Sequence, residues 1–295
     1  MSAANTTIAG VISLLPIKKN FGFDWHDCLM PINEDFTLLD LAIHECAAAG
    51  AKSIWISIND DWAPVIKKRL GEYVLDPVWD YRTFDPEPVQ SKKVIPIFLV
   101  PCLPKFYKTR DSEGWGYINS AIYAIKTTGK ISSFLTPDVF YACSPFVVYE
   151  PGYITQFRRN LLEKKRFMFS NGNKHFLNDN HLSFTFLKED IPQVRQYLNK
   201  NATMKYVANE EYEKTGKGSI LVPLPKEERY SGRFFGLNDL FSHIDINDYQ
   251  NETIHPCYEI NNWEDYRRFM REGEEFKKPK ILKRESIYKL YEEKL

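Results

Sequence analysis

The segment spanning residues 29–59 constrains the fold of this chain more than any other. Its central part predicts a helix with one apolar face, formed at helical spacing by Leu38, Leu39, Ala42, Ile43, Cys46 and Ala47. Thr37, with Asp40 three residues later, is typical of a helix start, and Gly50 is typical of a helix end. The apolar run at residues 53–58 predicts a buried strand. A helix and a strand joined in this way bury their faces within a layered α/β domain.

A second apolar run precedes this unit. Residues 8–15 are continuously apolar and predict a short buried strand. The loop that follows carries Lys18 and Lys19. Ligands of open α/β sheets bind beyond the carboxyl ends of the strands, so two lysines in this loop are candidates for binding an anion. A solvated surface loop explains them equally well.

Composition restricts the classes of partner. Lys plus Arg and Asp plus Glu number 39 each, so the formal net charge is zero. No net field therefore draws the chain to nucleic acid or to an anionic membrane, and neither partner is expected. No apolar run reaches the length of a membrane span. The lysines near the N-terminus follow its apolar run, the reverse of a secretory signal, so we expect a cytoplasmic protein.

The five cysteines lie far apart and form no C-x-x-C pair. This spacing predicts buried free thiols in a reducing compartment rather than a disulfide framework or a zinc site. They are Cys28, Cys46, Cys102, Cys143 and Cys257.

Two later segments add candidate site residues. Gly114 and Gly116 lead into an Ala- and Ile-containing helix, where backbone N–H groups can approach a bound anion or base closely. The apolar run at residues 144–150 predicts a central strand that ends in Glu150. A carboxylate at such a strand end is a candidate metal ligand. A cap on the helix that Pro151 begins is an equally good interpretation.

We expect one α/β domain over residues 1–270, followed by a charged helical tail at 271–295. An ordered insertion at about 71–93 interrupts the domain, and its aromatic side chains favour burial. These side chains are Trp79, Tyr81 and Phe84. The tail either packs against the domain or binds a partner. A homo-oligomer is compatible with the sequence.

The order of these parts resembles the nucleotidyltransferase superfamily that activates sugar 1-phosphates with an NTP, on the fold shared with GT-A glycosyltransferases. HDCLMPI at residues 26–32 stands where that family has P-K-P-L-L-P-V. TLLDLAIHECAAAGAKSIWISI resembles its first helix, turn and second strand, and GWGYINSAIYAIKTTGK its G-T-A helix start. CYEINNWEDYRRFM resembles its closing segment. The resemblance covers most of residues 8–270. It implies a Rossmann-like three-layer αβα fold with a mostly parallel mixed central sheet.

The resemblance also implies the site. Lys18 and Lys19 would be the catalytic cations that hold phosphates, and Glu150 with Glu259 would bind Mg²⁺. The nucleotide would lie against Leu14, Leu15, Gly114, Gly116 and Tyr117. The substrates implied are an NTP and a sugar phosphate, or a nucleotide sugar.

The sequence departs from the family at the phosphate loop. The family's G-x-G-T-R loop is PIKKNFGFDW here, and the family's catalytic lysine falls on Asp27. Two metal-binding aspartates of the family fall on glutamates, which still offer the hard oxygens that Mg²⁺ prefers. The missing arginine and lysine would have stabilised charge during phosphoryl transfer. Lys18 and Lys19, from the same loop, could partly replace them.

Three functions are compatible with the sequence. The first is a divergent nucleotidyltransferase, in which a sugar 1-phosphate attacks the α-phosphorus of an NTP and releases pyrophosphate. The second is a GT-A-like glycosyltransferase, against which stands the lack of a D-x-D at a strand end. The third is a non-catalytic member of the same fold that binds a nucleotide sugar or a protein partner. The first is the principal hypothesis.

Overall fold

The structure is a computed structural model that describes residues 6–15, 19, 21–23, 25–33, 36–80, 93–102, 113–150, 152–164, 166–178, 180–202, 204–208, 218–223 and 236–273. Lys18, Tyr81, Phe84 and the tail beyond residue 273 lie outside the described residues, as does the side chain of Trp79. Within the described part of the chain, no helix is both long and apolar enough to cross a membrane.

The described strands and helices alternate over most of the chain. The strands are β1 (Ile8–Ser13), β2 (Pro31–Asn33), β3 (Phe36–Thr37), β4 (Ser53–Asn59), β5 (Tyr73–Leu75), β6 (Val94–Cys102), β7 (Val139–Cys143), β8 (Val147–Val148), β9 (Phe167–Ser170), β10 (Phe184–Leu187), β11 (Met204–Ala208), β12 (Ser219–Pro223), β13 (Gln250–Thr253) and β14 (Tyr258–Glu259). The helices are α1 (Leu38–Ala48), α2 (Ala63–Leu70), α3 (Pro77–Asp80), α4 (Glu113–Ile131), α5 (Gly152–Lys164), α6 (Asp190–Ala202), α7 (Leu237–Phe241) and α8 (Trp263–Glu272).

The unit predicted at residues 29–59 is confirmed. Helix α1 begins with a capping box, in which the Thr37 hydroxyl accepts from the Asp40 N–H and the Asp40 carboxylate accepts from the Thr37 N–H. The helix ends before Gly50, whose φ of +95° is a conformation that favours glycine. Strand β4 follows and pairs in parallel with β1, from Ala9 opposite Ser53 onward.

Eight strands form the central sheet, in the order β13-β9-β10-β7-β1-β4-β6-β5. Strand β1 is parallel to both of its neighbours, β4 and β7, and β6 is parallel to β4. Strands β5 and β10 are antiparallel to the strands beside them, and β13 with β9 restores the direction of β1. The sheet is therefore mixed but mostly parallel, as predicted.

Helices cover both faces of this sheet. Side chains of β1 alternate between two hydrophobic clusters, because successive residues of a strand point to opposite faces. Ile8 and Ile12 pack with residues of α1 and α5, whereas Ala9 and Val11 pack with residues of α4 and α7. The expected three-layer αβα architecture is confirmed.

The position predicted for the central strand was wrong. The strand beside β1 is β7 (Val139–Cys143), whereas the predicted run at residues 144–150 contains only the short β8. Strand β8 pairs with β14 in a separate two-stranded sheet. Both segments are apolar, so hydrophobicity alone did not distinguish them. Pairing with β1 decides which one is central.

Two further segments belong to the sheet edges. Within the region expected to form an insertion, β5 pairs antiparallel with β6 and supplies one edge strand. The other edge strand is β13, whose sequence QNET carries no apolar pattern. All five cysteines are free, as predicted, and Cys257 alone is only partly buried.

Candidate functional site

The candidate site lies at the carboxyl edge of the parallel strands. The chain leaves β1, β7, β9 and β13 at this edge because these strands share one direction. The loops after β1, β7 and β9 carry Lys19, Phe146 and Lys174, and strand β14, which follows β13, carries Glu259. In open α/β sheets this edge is where ligands bind. The prediction that the loop after β1 reaches it holds for Lys19, while Lys18 lies outside the described residues.

Lys19 joins the first loop to the last one. Its Nζ donates to Oδ1 of Asn261 at 2.5 Å and lies 5.1 Å from the centre of the Phe146 ring. The ring face attracts the ammonium group electrostatically. The loops after β1 and β7 and the segment after β14 therefore meet around one cation.

Glu259 is held by two donors from the loop between β9 and β10. Lys174 Nζ lies 2.6 Å from Glu259 Oε1, and Asn180 Nδ2 donates to the same oxygen at 2.9 Å. Burial alone would raise the pKa of Glu259. The hydrogen bonds from Lys174 and Asn180, with the charges of Lys174 and Lys19, lower that pKa below its ordinary value. Glu259 is therefore ionised at neutral pH, within the field of two lysines.

The two predicted metal ligands, Glu150 and Glu259, have different local surroundings. Glu259 is opposite Val147 in the β8–β14 pair. Glu150 lies two residues beyond the end of β8, just before α5. A Cβ added to Gly152 would lie 2.9 Å from Glu150 Oε1, so this carboxylate sits at the N-terminus of α5. The position favours the capping interpretation of Glu150.

Among the described residues, no group of three or more His, Cys, Asp or Glu side chains is placed to hold a metal ion. The Mg²⁺ role of these two glutamates remains a prediction.

The predicted nucleotide-binding glycines lie inside the first turn of α4, not ahead of it. A Cβ added to Gly116 would lie 1.9 Å from Ser13 Oγ, and one added to Gly114 would lie 2.7 Å from a methyl group of Leu240. The carbonyl of Gly116 accepts from the Ser57 hydroxyl at 2.7 Å. These glycines allow α4 to approach β1, β4 and α7 closely.

Three other predicted nucleotide contacts are buried. Leu14 and Leu15 are 2% and 1% exposed, and Tyr117 is 1% exposed and packs edge-on against Phe184. The Leu14 carbonyl accepts from His26 Nε2 at 2.8 Å, while His26 Nδ1 accepts from the backbone N–H two residues later. The side chains of these three residues thus belong to the core in this conformation, and their nucleotide role remains a prediction.

His26 and Asp27 fix the loop after β1. Burial lowers the pKa of His26, so the ring is neutral and bridges two backbone groups. Burial raises the pKa of Asp27, and a hydrogen bond from the Lys19 backbone together with the Lys19 charge opposes that change. Asp27 therefore supports the backbone that carries Lys19.

A buried carboxylate connects several of the elements that lie beneath the site. Glu45, in α1, is 4% exposed, and its Oε1 accepts from the hydroxyls of Tyr141 at 2.6 Å, Ser183 at 2.5 Å, and Tyr149. Burial raises the pKa of Glu45, and these hydrogen bonds oppose the change. The network ties α1 to β7, to the segment after β8 and to the residue before β10. Sequence reasoning missed it because its members are up to 138 residues apart.

Sequence reasoning also missed an aromatic cluster beside Lys19, formed by Phe21, Phe23, Trp25, Trp263 and Tyr266. The alternation of aromatic residues at positions 21, 23 and 25 was a visible signal for it.

The fold and site define a three-layer α/β protein with polar, charged loops at the carboxyl edge of its sheet. Neither a protein-family model nor a curated protein sequence matches the chain. Solved structures do match over 90% of its length. A nucleoside-diphosphate-sugar pyrophosphorylase from Vibrio cholerae RC9 is 12% identical, with 100% of that chain covered and a TM-score of 0.47.

Two further structures are similar to the same extent. A putative glucose-1-phosphate thymidylyltransferase from Bacillus anthracis, in complex with a sucrose, is 7% identical, with 94% of it covered and a TM-score of 0.48. Rv0371C from Mycobacterium tuberculosis H37Rv, in complex with manganese, is 9% identical over 90% of this chain and 98% of that one, with a TM-score of 0.45. Such similarity concerns the course of the chain alone.

Proposed function

We propose that the protein binds a nucleotide at the carboxyl edge of its sheet and transfers a nucleotidyl group from an NTP to a sugar 1-phosphate. The observation that carries the proposal is that Lys19 lies near the ion pair of Glu259 and Lys174 at that edge. A phosphate chain placed there would meet the ammonium groups of Lys19 and Lys174. Cations aimed at transferring phosphoryl groups supply the electrostatic part of such catalysis.

Each group has a defined part in the reaction. An oxygen of the sugar phosphate forms a bond to the α-phosphorus, while the bond from that phosphorus to the bridging oxygen breaks and pyrophosphate leaves with the electron pair. Lys19 would exchange its contact with Asn261 for a phosphate oxygen, and Lys18 would act beside it. Leu14, Leu15, Gly114, Gly116 and Tyr117 are proposed to border the nucleotide through the backbone and helix start they form. Asn180 and Glu259 would bind sugar hydroxyls.

Mg²⁺ would enter this site as a complex with the NTP. Mg²⁺ sites of this kind use one or two carboxylates together with substrate phosphates. Glu259 is the carboxylate next to Lys19, whereas Glu150 lies at the N-terminus of α5. No step assigned above to the protein depends on the ion.

A second candidate function is binding without transfer. It is favoured by one observation: the residue in place of the family's catalytic lysine is Asp27, which accepts a hydrogen bond from the Lys19 backbone. A protein that only binds a nucleotide sugar would retain the site and lack the reaction.

Two measurements separate these functions. A thermal-shift screen of NTPs and sugar nucleotides detects binding, because a ligand specific for the folded state raises the apparent stability. Release of pyrophosphate from an NTP and a sugar 1-phosphate, with and without Mg²⁺, detects transfer. Transfer predicts both signals. Stabilisation without pyrophosphate establishes the second function, and no stabilisation by any nucleotide refutes both.

A further inference from the structure

The aromatic cluster presents a half-exposed indole at the edge of the candidate site. Phe23 stacks on Trp25 with the ring centres 4.2 Å apart and the planes 19° from parallel. Trp25 is nevertheless 49% exposed, among the most exposed large apolar side chains in the described part of the chain. Phe23 therefore supports one side of the indole, and much of the remaining ring surface faces solvent.

A second tryptophan fixes the cluster in place. Trp263, the first residue of α8, lies edge-on to Phe23 at 5.3 Å and to Phe21 at 5.6 Å. Its Nε1 donates to the Phe21 carbonyl at 3.2 Å, so this indole connects α8 to the loop after β1. Trp263 is also 39% exposed. Two indoles from distant parts of the chain thus share one partly exposed surface.

This surface adjoins the cation of the proposed phosphate site. Trp263 is two residues from Asn261, the acceptor of the Lys19 ammonium group, and two residues of extended chain span at most about 7 Å. Beyond Lys19 lies the Glu259 carboxylate with Asn180. The aromatic cluster, the Lys19 ammonium group and these hydrogen-bonding side chains are therefore connected through the segment from Glu259 to Trp263.

We propose that Trp25, supported by Phe23 and Trp263, is the stacking surface for the base of the bound nucleotide. This inference rests on the proposed function and adds the position of the base. A base on Trp25 would direct its phosphates toward Lys19 and its sugar toward Asn180 and Glu259. The exposed indoles and the adjacent positive charge together favour a nucleotide over an apolar segment of a protein. Because every base has a π-face, stacking accepts different bases.

The experiment compares a ligand that has a base with one that lacks it. Binding of ATP and of tripolyphosphate is measured by calorimetry for the wild-type protein and for Trp25→Ala. Loss of one base–aromatic stack lowers affinity by about 5- to 150-fold. We expect this loss for ATP, with tripolyphosphate affinity unchanged. Trp25→Phe, which retains a ring, recovers most of the ATP affinity and shows that the ring itself is required.

Phe134→Ala is the matched control because Phe134 is 89% exposed and lies in the turn after α4, away from the site. It should bind both ligands as the wild type does. Unchanged ATP affinity in Trp25→Ala, or an equal loss for ATP and tripolyphosphate, overturns the stacking surface while leaving the phosphate site intact. Failure of the wild type to bind either ligand removes the proposed function, and the stacking surface with it. Purified variants with unchanged melting temperatures make the comparison valid.

Discussion

The two edges of the central sheet each carry a cluster of charged residues, and the clusters differ in burial. At the amino edge, Asp76 is fully buried and accepts from Arg158 at 2.6 and 2.9 Å and from Lys93 at 2.9 Å. At the carboxyl edge, the Glu259 side chain is 32% exposed and its partner Lys174 is 60% exposed. A fully buried carboxylate needs its partners for stability, whereas exposed partners can exchange for a ligand. The difference in burial indicates a structural role for the amino-edge cluster and is consistent with the ligand binding proposed at the carboxyl edge.

The largest expected effect on stability is at the amino edge. Asp76→Ala leaves Arg158 and Lys93 without their carboxylate and places Lys52 in an uncompensated cluster of cations. We expect a loss of about 3 kcal/mol or more in the free energy of unfolding, measured by urea denaturation. Glu163→Ala removes an exposed carboxylate paired with Arg159 on α5 and should cause no measurable loss. Equal losses in the free energy of unfolding for the two substitutions would show that the buried cluster contributes no more to stability than the exposed ion pair.

The same cluster predicts how stability depends on pH. Burial would raise the pKa of Asp76, but Arg158 and Lys93 hold that pKa well below its ordinary value of 3.8. The folded state therefore gains stability from Asp76 above pH 3.8, and this gain is lost as the pH falls. The stability difference between wild type and Asp76→Asn should shrink below pH 3.8. A stability difference between the two proteins that stays constant from pH 7 to pH 2.5 would contradict this prediction.

Beneath the carboxyl edge, Glu45 provides an intermediate case. Its described donors are three hydroxyl groups, so Glu45→Gln keeps the shape and weakens charge-assisted hydrogen bonds. We expect a loss of about 2 kcal/mol in the free energy of unfolding. Glu72→Gln, at a partly exposed position before β5, is the control. A loss in the free energy of unfolding no greater than in the control would show that the Glu45 network does not stabilise the elements beneath the site.

The smallest expected effect on stability concerns Lys52, whose ammonium group lies near the charges of Lys93, Arg158 and Asp76. Burial and the charges of Lys93 and Arg158 lower its pKa from 10.5 to about 8, while Asp76 opposes the change. Between pH 8 and 10.5 the unfolded chain binds more protons at this group, so stability rises with pH. Relative to Lys52→Met, the wild type should gain less than about 1 kcal/mol between pH 7 and 9.5, because the side chain is only partly covered and solvent screens its charge. A stability of the wild type relative to Lys52→Met that falls as the pH rises would contradict this prediction.

The fold was largely predictable because its signals are local. The helical spacing in α1, the capping residues Thr37 and Asp40, and the apolar runs of β1 and β4 each specify an element without reference to the rest of the chain. Strand β13 was not predictable in this way, since QNET has no apolar alternation and is recruited by pairing with β9. The choice between β7 and β8 as the central strand also depends on pairing.

The site was less predictable for the same reason. The sequence places Lys19 in a loop at the carboxyl edge, which follows from its position after β1. It does not show that Lys19 reaches Asn261, 242 residues away, or that Lys174 meets Glu259, 85 residues away. The resemblance pairs Glu150 with Glu259 as metal ligands, but it does not show that Glu259 accepts from Asn180, 79 residues away. Long-range contacts thus determine which charges act together.

The proposed function depends most on Lys19, which is proposed to bind the phosphates of a nucleotide at the carboxyl edge. The most direct measurement is the rise in melting temperature with ATP and Mg²⁺ for wild type, Lys19→Ala and Lys188→Ala. Lys188 is an exposed lysine at the opposite edge, just after β10, so its removal matches the change in charge. Loss of one charge-assisted contact predicts that Lys19→Ala needs about tenfold more ATP for the same rise, with Lys188→Ala unchanged. Identical ATP dependence in all three proteins would contradict the claim.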